Sequence, residues 1–289
     1  MTDPDFTAPV RPVYPRPGEP LPLAGLYLNM ALPDRGHFGP WVYSNFVATL
    51  DGRIALADPG SGRLGVPDSI GDPRDWRLFQ ELAARADVLI SSGRYFRDLR
   101  LGAAQDVLPL SSRAPFRDLR EWRREQGLAP QPDVAILSAS LNFHLPDALF
   151  RQGRRVTVLT TGAAPAEARA RLQASGATVV AVNDGPAVRG DAAVSQLGDL
   201  GYARAYSVTG PYVLRSLLEA GALDTLFLTQ RHRIVAGEHY STIAEGEALA
   251  PPTDLVLESL YLDDSGAGAQ QQFARFTLES PHGSGPAGP

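Results

Sequence analysis

From residue 42 to residue 229 the chain alternates short apolar runs with segments of helical periodicity, and beyond residue 254 that alternation stops. Residues 42–49, 88–92, 134–138, 156–161, 178–182, 205–208 and 225–229 are brief runs rich in Val, Ile, Leu, Ala and Thr. This is the pattern of strands buried on both faces. Helical segments stand between several of them. Asp72 can N-cap a helix with Pro73 at its first position, and Trp76, Phe79, Ala83 and Ala86 then share one face. Residues 115–126 read as an amphipathic helix with Phe116, Leu119 and Trp122 inward and Gly127 at its end. Residues 165–175, stopped by Gly176, 191–200, and 211–220, stopped by Gly221, read as further helices. In the tail, residues 255–262 and 273–278 are two strands with no helix between them, which makes an antiparallel hairpin. Strands joined through helices pair in parallel, because each crossover returns the chain to the same end of the sheet. The pattern predicts an α/β fold: a central, mostly parallel sheet of roughly eight or nine strands, helices on both faces, and a C-terminal antiparallel hairpin at one edge.

The two ends differ from this middle. Pro4, Pro9, Pro12, Pro15, Pro17, Pro20 and Pro22 crowd residues 1–24, a density that opposes ladder and helix and predicts an extended proline-rich arm. Residues 280–289, rich in Gly and Pro, predict a disordered tail. Nothing like a linker or repeat divides the rest, so residues 25–279 read as one domain with loops at 98–115 and 262–270.

Composition removes whole classes of chemistry. The 289 residues carry a net charge of −5, which argues against a nucleic-acid partner, since phosphate binding needs clustered cations. No apolar run approaches the roughly 18 residues of a membrane span, and no basic segment followed by an apolar one opens the chain, so a cytoplasmic protein is expected. There is no cysteine, and all 27 cations are arginine. Disulfides, thiolate nucleophiles, zinc–thiolate sites, Schiff-base lysines and the P-loop lysine are therefore out. His37, His144, His232, His239 and His282 show no metal-ligand spacing, so no metal is expected. No G-x-S-x-G elbow is present.

Several strand ends carry residues suited to a ligand. Asp51-Gly52 is a strong turn signal after the first long strand; Asp51 either bonds its own turn or meets a ligand, and Arg53 is either solvated or forks onto a phosphate or carboxylate. Thr209-Gly210-Pro211 lies between a strand and a helix N-terminus, where free N–H groups and the dipole favour an anion. Ser138 and Thr160-Thr161 close two strands with hydroxyls that either hold a ribose or phosphate or simply cap the next element. Gly60-Ser61-Gly62-Arg63-Leu64-Gly65 matches G-x-G-x-x-G, but Pro67 follows and no helix opens there, so it reads as a flexible loop.

Taken in order, these segments resemble a known family. Residues 45–55, Asn-Phe-Val-Ala-Thr-Leu-Asp-Gly-Arg-Ile-Ala, resemble the opening strand of the C-terminal reductase domain of bifunctional riboflavin-biosynthesis deaminase/reductase proteins. Residues 86–94, ending in Gly93-Arg94, and the strands at 134–138 and 156–161 are similar to the next three, and residues 209–224 to the Gly-Gly-Pro block and the helix exit after it. The likeness spans about residues 40–279. It implies a dihydrofolate-reductase-like fold, a homodimer, and an NADPH-dependent reductase acting on a small molecule, a ribosylaminopyrimidine, by hydride transfer to its ribosyl carbon. The zinc-binding deaminase half has no counterpart in this sequence.

The resemblance also assigns residues. Ala48, Thr49, Ile54 and Ala55 would flank the nicotinamide, and Gly93, Arg94, Ser138, Thr160 and Thr161 the adenosine half. Thr209, Gly210, Pro211, Tyr212, Val213 and Leu214 would face the pyrophosphate. Asn45, Asp51 and Arg53 would face the substrate, with Asp51 as proton donor through a raised pKa. The sequence departs from the family at three places: Val208 and Thr209 replace the Glu and the first Gly of the Gly-Gly block, Tyr95 replaces a Thr, and Arg53 replaces a Lys.

Overall fold

The computed structural model describes residues 6–102, 110–264 and 270–278. In chain order its strands are β1 (Pro9–Tyr14), β2 (Leu21–Pro22), β3 (Trp41–Thr49), β4 (Ala55–Ala57), β5 (Leu64–Gly65), β6 (Val88–Ser92), β7 (Asp133–Leu137), β8 (Val156–Thr161), β9 (Thr178–Asn183), β10 (Arg204–Ser207), β11 (Thr225–Arg231), β12 (Tyr240–Ser241), β13 (Leu255–Asp263) and β14 (Gln271–Leu278). The α-helices are α1 (Pro73–Arg85), α2 (Gly93–Arg100), α3 (Arg117–Glu125), α4 (Ala166–Ala174), α5 (Gly190–Asp199) and α6 (Pro211–Glu219).

The main sheet runs β2-β1-β13-β14-β11-β3-β10-β6-β7-β8-β9. From β11 to β9 every neighbouring pair is parallel, and from β14 to β2 every pair is antiparallel. The α/β architecture, the parallel centre and the C-terminal hairpin follow the sequence pattern, but the hairpin is not the edge that was expected, because β1 and β2 pair outside it. The sheet has eleven strands where eight or nine were expected, and the difference comes mostly from the proline arm. Residues 9–14 do form a ladder: Arg11 faces Leu262 and Tyr14 faces Leu260, with the register slipping between Pro12 and Tyr14. Prolines are tolerated at such slips and on outer strands, where the missing N–H leaves no partner unpaired. Phe6, Val10 and Leu23 enter the core, so the arm is part of the packed structure. Strands β12, β4 and β5 form a separate small sheet.

Helix α1 starts where the sequence placed it. Asp72 is its N-cap, accepting from the Arg74 amide at 2.8 Å, with Pro73 in the first turn. Two further points differ from expectation. A helix, α2, follows β6 directly, capped by Ser92, so the loop placed at 98–115 begins only after Arg100; residues 103–109 lie outside the described ones. β9 is half-exposed rather than buried, because it is the outermost strand of the sheet. The disordered tail expected at 280–289 also lies outside the described residues.

The core is split between the two faces of the sheet. On one, the front, Tyr43, Leu89, Tyr206 and Phe227 pack with Leu78 and Leu82 of α1, Leu119 of α3 and residues of the arm. On the other, the back, Val42, Phe46, Ala48, Ile90 and Ala205 pack with α5 and α6. Full burial of each such side chain stabilises by roughly 1.5–3 kcal/mol. Toward β7 and β8, Val134, Ile136 and Val158 pack with Phe96 of α2 and Leu172 of α4. β10 is inserted between β3 and β6, so the chain leaves β6 toward β7 and leaves β10 toward β11. Diverging connections of this kind open a crevice at the C-terminal ends of the strands, where α/β proteins bind ligands.

Candidate functional site

β3 lies in the middle of the sheet, yet it is not sealed on both sides. Phe46 and Ala48, which face α5 and α6, are buried, whereas Asn45 and Val47, which face the front, are half-buried. The C-terminal part of the central strand is thus uncovered on its front face. The opening is bordered by Trp76 and Phe79 of α1 and by Val208, all partly buried. Trp76 and Phe79 stack with ring centroids 4.7 Å apart, and Phe79 lies 5.5 Å from the Tyr206 ring. The Tyr206 hydroxyl donates to Asn45 Oδ1. An aromatic wall and a polar amide therefore meet in one cleft.

The turn after β3 closes one end of this cleft. Gly52 has φ +78°, a conformation that explains the Asp-Gly pair. Thr49 donates its hydroxyl to Asp51 Oδ1, the Arg53 guanidinium donates to Asp51 Oδ2 at 2.8 Å, and the Ala236 amide donates to the same oxygen at 2.9 Å. Arg53 also stacks over the Tyr240 ring at 4.3 Å. The Thr49 hydroxyl first, then the amides of Ala236 and Val235 and the Arg53 guanidinium, hold the Asp51 carboxyl below its ordinary range, against a lesser opposing pull from desolvation. This reverses the raised pKa on which a proton-donor role for Asp51 would rest: the side chain is paired, so its charged form is the favoured one. Arg53 is correspondingly committed to Asp51 and Tyr240.

The remaining predicted positions lie along the C-terminal ends of adjacent strands β3, β10, β6, β7 and β8. Gly210 is exposed and N-caps α6 without any side-chain cap, which leaves that helix terminus open to an anion. Gly93 packs against the loop after β7: a β-carbon there would lie 2.8 Å from Ser138 Oγ and 3.0 Å from Phe143. Ser138 accepts from the Leu141 amide at 3.1 Å, so it caps its own turn. Arg94 is exposed and sits 3.6 Å from Asp98. Thr160 and Thr161 are buried, at 0% and 1% exposure, and Thr160 Oγ1 has no hydrogen-bond partner. The side chains of Ala48 and Ile54 are packed into the back core, so they do not reach the open face; Val47, which no motif marked, does. Leu214 is likewise a core residue, and Tyr212 is exposed. Among the described residues no group of three or more potential metal ligands comes together, and no helix is long and apolar enough to cross a membrane.

One residue at the cleft escaped the sequence altogether. Asp75 lies in the first turn of α1 and is 8% exposed. Burial pushes its carboxyl up to about 6, opposed by a hydrogen bond with Thr229 and by Arg231 and reinforced by Asp72. In the sequence an acid three residues after an N-cap reads as ordinary helix capping. Only its burial beside Thr229 of β11 distinguishes it.

Comparison with known proteins agrees with this fold. No curated protein sequence matches the chain. Among solved structures, a pyrimidine reductase-like protein from Corynebacterium diphtheriae has a similar fold, with TM-score 0.61 and 21% identity over 83% of this chain and 92% of that one. The riboflavin biosynthesis reductase Rib7 of Saccharomyces cerevisiae is similar at TM-score 0.53 and 12% identity, covering 88% and 99%. RibD of Acinetobacter baumannii is similar at TM-score 0.57 and 16% identity over 84% of this chain, but only 59% of RibD's length is matched. The RibD C-terminal domain model matches residues 40–267, from the strand that leads into the cleft to the closing hairpin, and the chain belongs to that family.

Proposed function

We propose that the chain is an NADPH-dependent reductase of a ribosylaminopyrimidine, acting at the front cleft. The observation that carries this reading is the half-open Asn45–Val47 face of a central strand, set beside an uncapped helix N-terminus in a row of strand ends. The residues fit a dinucleotide phosphate. Gly210 to Leu214 offer the helix terminus to the pyrophosphate, and Gly93, Arg94, Ser138, Thr160 and Thr161 lie on the strand ends that continue the row. Asn45 and the Thr49–Ala55 segment border the place where acceptor and nicotinamide would meet. When bound, the reduced nicotinamide supplies the hydride. The protein's part is to align the acceptor, exclude water and hold the polar groups of the cleft in place. The family's homodimer belongs to the same proposal; exposed Val13, Tyr14, Leu21, Leu255 and Val256 lie on the antiparallel strands at one edge of the sheet.

A second reading, a reductase of another small heterocycle such as a pterin, is favoured by one observation. Val208 stands half-buried at the cleft in the position where the family carries a Glu, so the acceptor meets an apolar side chain there. Fluorescence titration with NADPH, followed by its consumption with ribosylaminopyrimidine or pterin acceptors, tests both. Consumption with one acceptor class selects between them. Binding without consumption by any acceptor points to a nucleotide-binding protein, and absence of binding at low-millimolar cofactor refutes the reductase reading.

A further inference from the structure

Asn45 is half-buried on the open face of β3, and the two ends of its side-chain amide meet different surroundings. Oδ1 accepts from the Tyr206 hydroxyl. Nδ2 has no hydrogen-bond partner among the described residues, yet it is not one of the polar atoms sealed from solvent. The N–H2 end is therefore open to the cleft, while the oxygen end is taken from below by a tyrosine of the neighbouring strand β10.

An asparagine amide exchanges its oxygen and nitrogen by a half-turn, so only its partners decide which end points where. Here Tyr206 decides. Its ring is fully buried, stacked on Tyr43 with centroids 5.0 Å apart and planes 13° apart, and tilted against Phe79 at 5.5 Å. Tyr43 is itself tied through its hydroxyl to the Leu82 carbonyl at 2.9 Å. The Tyr206 phenol is thus held in place, and burial raises its pKa well above the ordinary value, so it keeps its proton. A sealed O–H needs an acceptor, and among the described residues Asn45 Oδ1 is its partner. Reversing the amide would set an N–H2 group against an O–H whose proton then has nowhere to go.

We propose that Tyr206 is a positioning residue: by holding Asn45 Oδ1 it turns the amide N–H2 into the cleft, where it donates to a ring carbonyl oxygen of the bound heterocycle. The proposal rests on the reductase reading of the same cleft and names the group of the acceptor that meets Asn45. Phe79 packs against Tyr206 and stacks on Trp76, so a flat ring lying along this wall brings its edge to Asn45. A carbonyl oxygen complements a neutral N–H2, whereas an exocyclic amine would set donor against donor. Tyr206 touches none of the reacting atoms and acts through Asn45 alone.

The test uses the full chain labelled with nitrogen-15 asparagine; its four asparagines give four side-chain N–H2 pairs in an NMR spectrum. The Asn45 pair is identified by its loss in Asn45→Ala. Uracil, a flat ring bearing carbonyls, is titrated at millimolar concentration with and without NADPH. In the wild type the Asn45 N–H2 signals should shift as uracil binds. Tyr206→Phe, which keeps the stacked ring, should weaken uracil about fivefold, as for loss of one neutral hydrogen bond, and leave NADPH affinity within twofold. In the Asn45→Ala background the same substitution should change nothing further, a coupling that a merely structural tyrosine would not show. Unchanged uracil affinity in Tyr206→Phe, or equal effects in the two backgrounds, overturns the proposal. So does an Asn45 pair that stays unmoved, or absence of uracil binding in the wild type, and both of these results stand even where Y206F fails to fold. Failure of NADPH to bind the wild type sinks the reductase reading instead, and the cofactor-free titration then still decides the role of Tyr206.

Discussion

Substitution of Glu81 by Gln should unfold the attachment of the N-terminal segment to α1, and its cost can be worked out from the contacts. Oε1 of Glu81 accepts from the Gly25 amide at 2.7 Å and from Arg77 Nε at 2.8 Å; Oε2 accepts from the Tyr27 and Leu28 amides at 2.9 and 3.1 Å. All four partners are donors, and the pair is sealed, with 1% and 0% side-chain exposure for Arg77 and Glu81. A glutamine can offer an oxygen to only one of the two sites. Its NH2 must face two donors in either orientation, and the Arg77 charge loses one of its two carboxylate partners, keeping Asp118. Removing one member of a buried pair costs about 3–5 kcal/mol, a large share of the ~5–15 kcal/mol that holds a typical domain. Urea denaturation should show the midpoint falling by roughly 1–2 M with an unchanged slope. A shift below about 1 kcal/mol would refute the claim that these N–H groups depend on the carboxylate. Replacing Glu81 and Arg77 together by Leu and Met, often harmless for a simple buried pair, should not restore stability, because the three amides remain unpaired.

Other outcomes follow from the same contacts. Gly93→Ala places a methyl 2.8 Å from Ser138 Oγ and 3.0 Å from Phe143, so it should cost about 1–3 kcal/mol in thermal unfolding and weaken NADPH binding in titration. Asp224 has its carboxyl raised by burial to about 6 from 3.8. The folded state thus holds that proton more tightly than the unfolded state. The associated stability is full below pH 3.8 and is lost as pH rises through about 6, a change of about 3 kcal/mol for the shift of roughly two units. Urea stability measured at pH 4 and pH 7 should therefore fall less in Asp224→Asn than in the wild type. Asp51→Asn should leave the upper limb of any activity–pH profile in place, because the Asp51 carboxyl is held ionised by Thr49 and Arg53; disappearance of that limb would restore Asp51 as the acid.

The sequence alone determined a good deal. Helix α1 begins at Asp72-Pro73 because a carboxylate cap and a residue without an N–H suit that position wherever it occurs. The apolar runs pair in parallel and the tail pairs antiparallel because connection length restricts the choice. The turn at Asp51-Gly52 is equally local. What it could not determine depends on contacts between distant segments. The prolines of residues 9–14 argued against a ladder, but β13 offered an outer edge where their missing donors cost nothing. Ala48 and Val47 look alike as strand residues; which one meets the cleft was decided by α5 and α6 covering one face and α1 stopping short on the other. Asp51 was marked by its motif and turns out to be paired, whereas Asp75 carried no motif and is buried with one carboxyl oxygen lacking a hydrogen-bond partner. Local chemistry sets where elements begin and end. Burial, and with it the reactivity of a carboxyl, is a property of what packs around it, and only the tertiary structure supplies that.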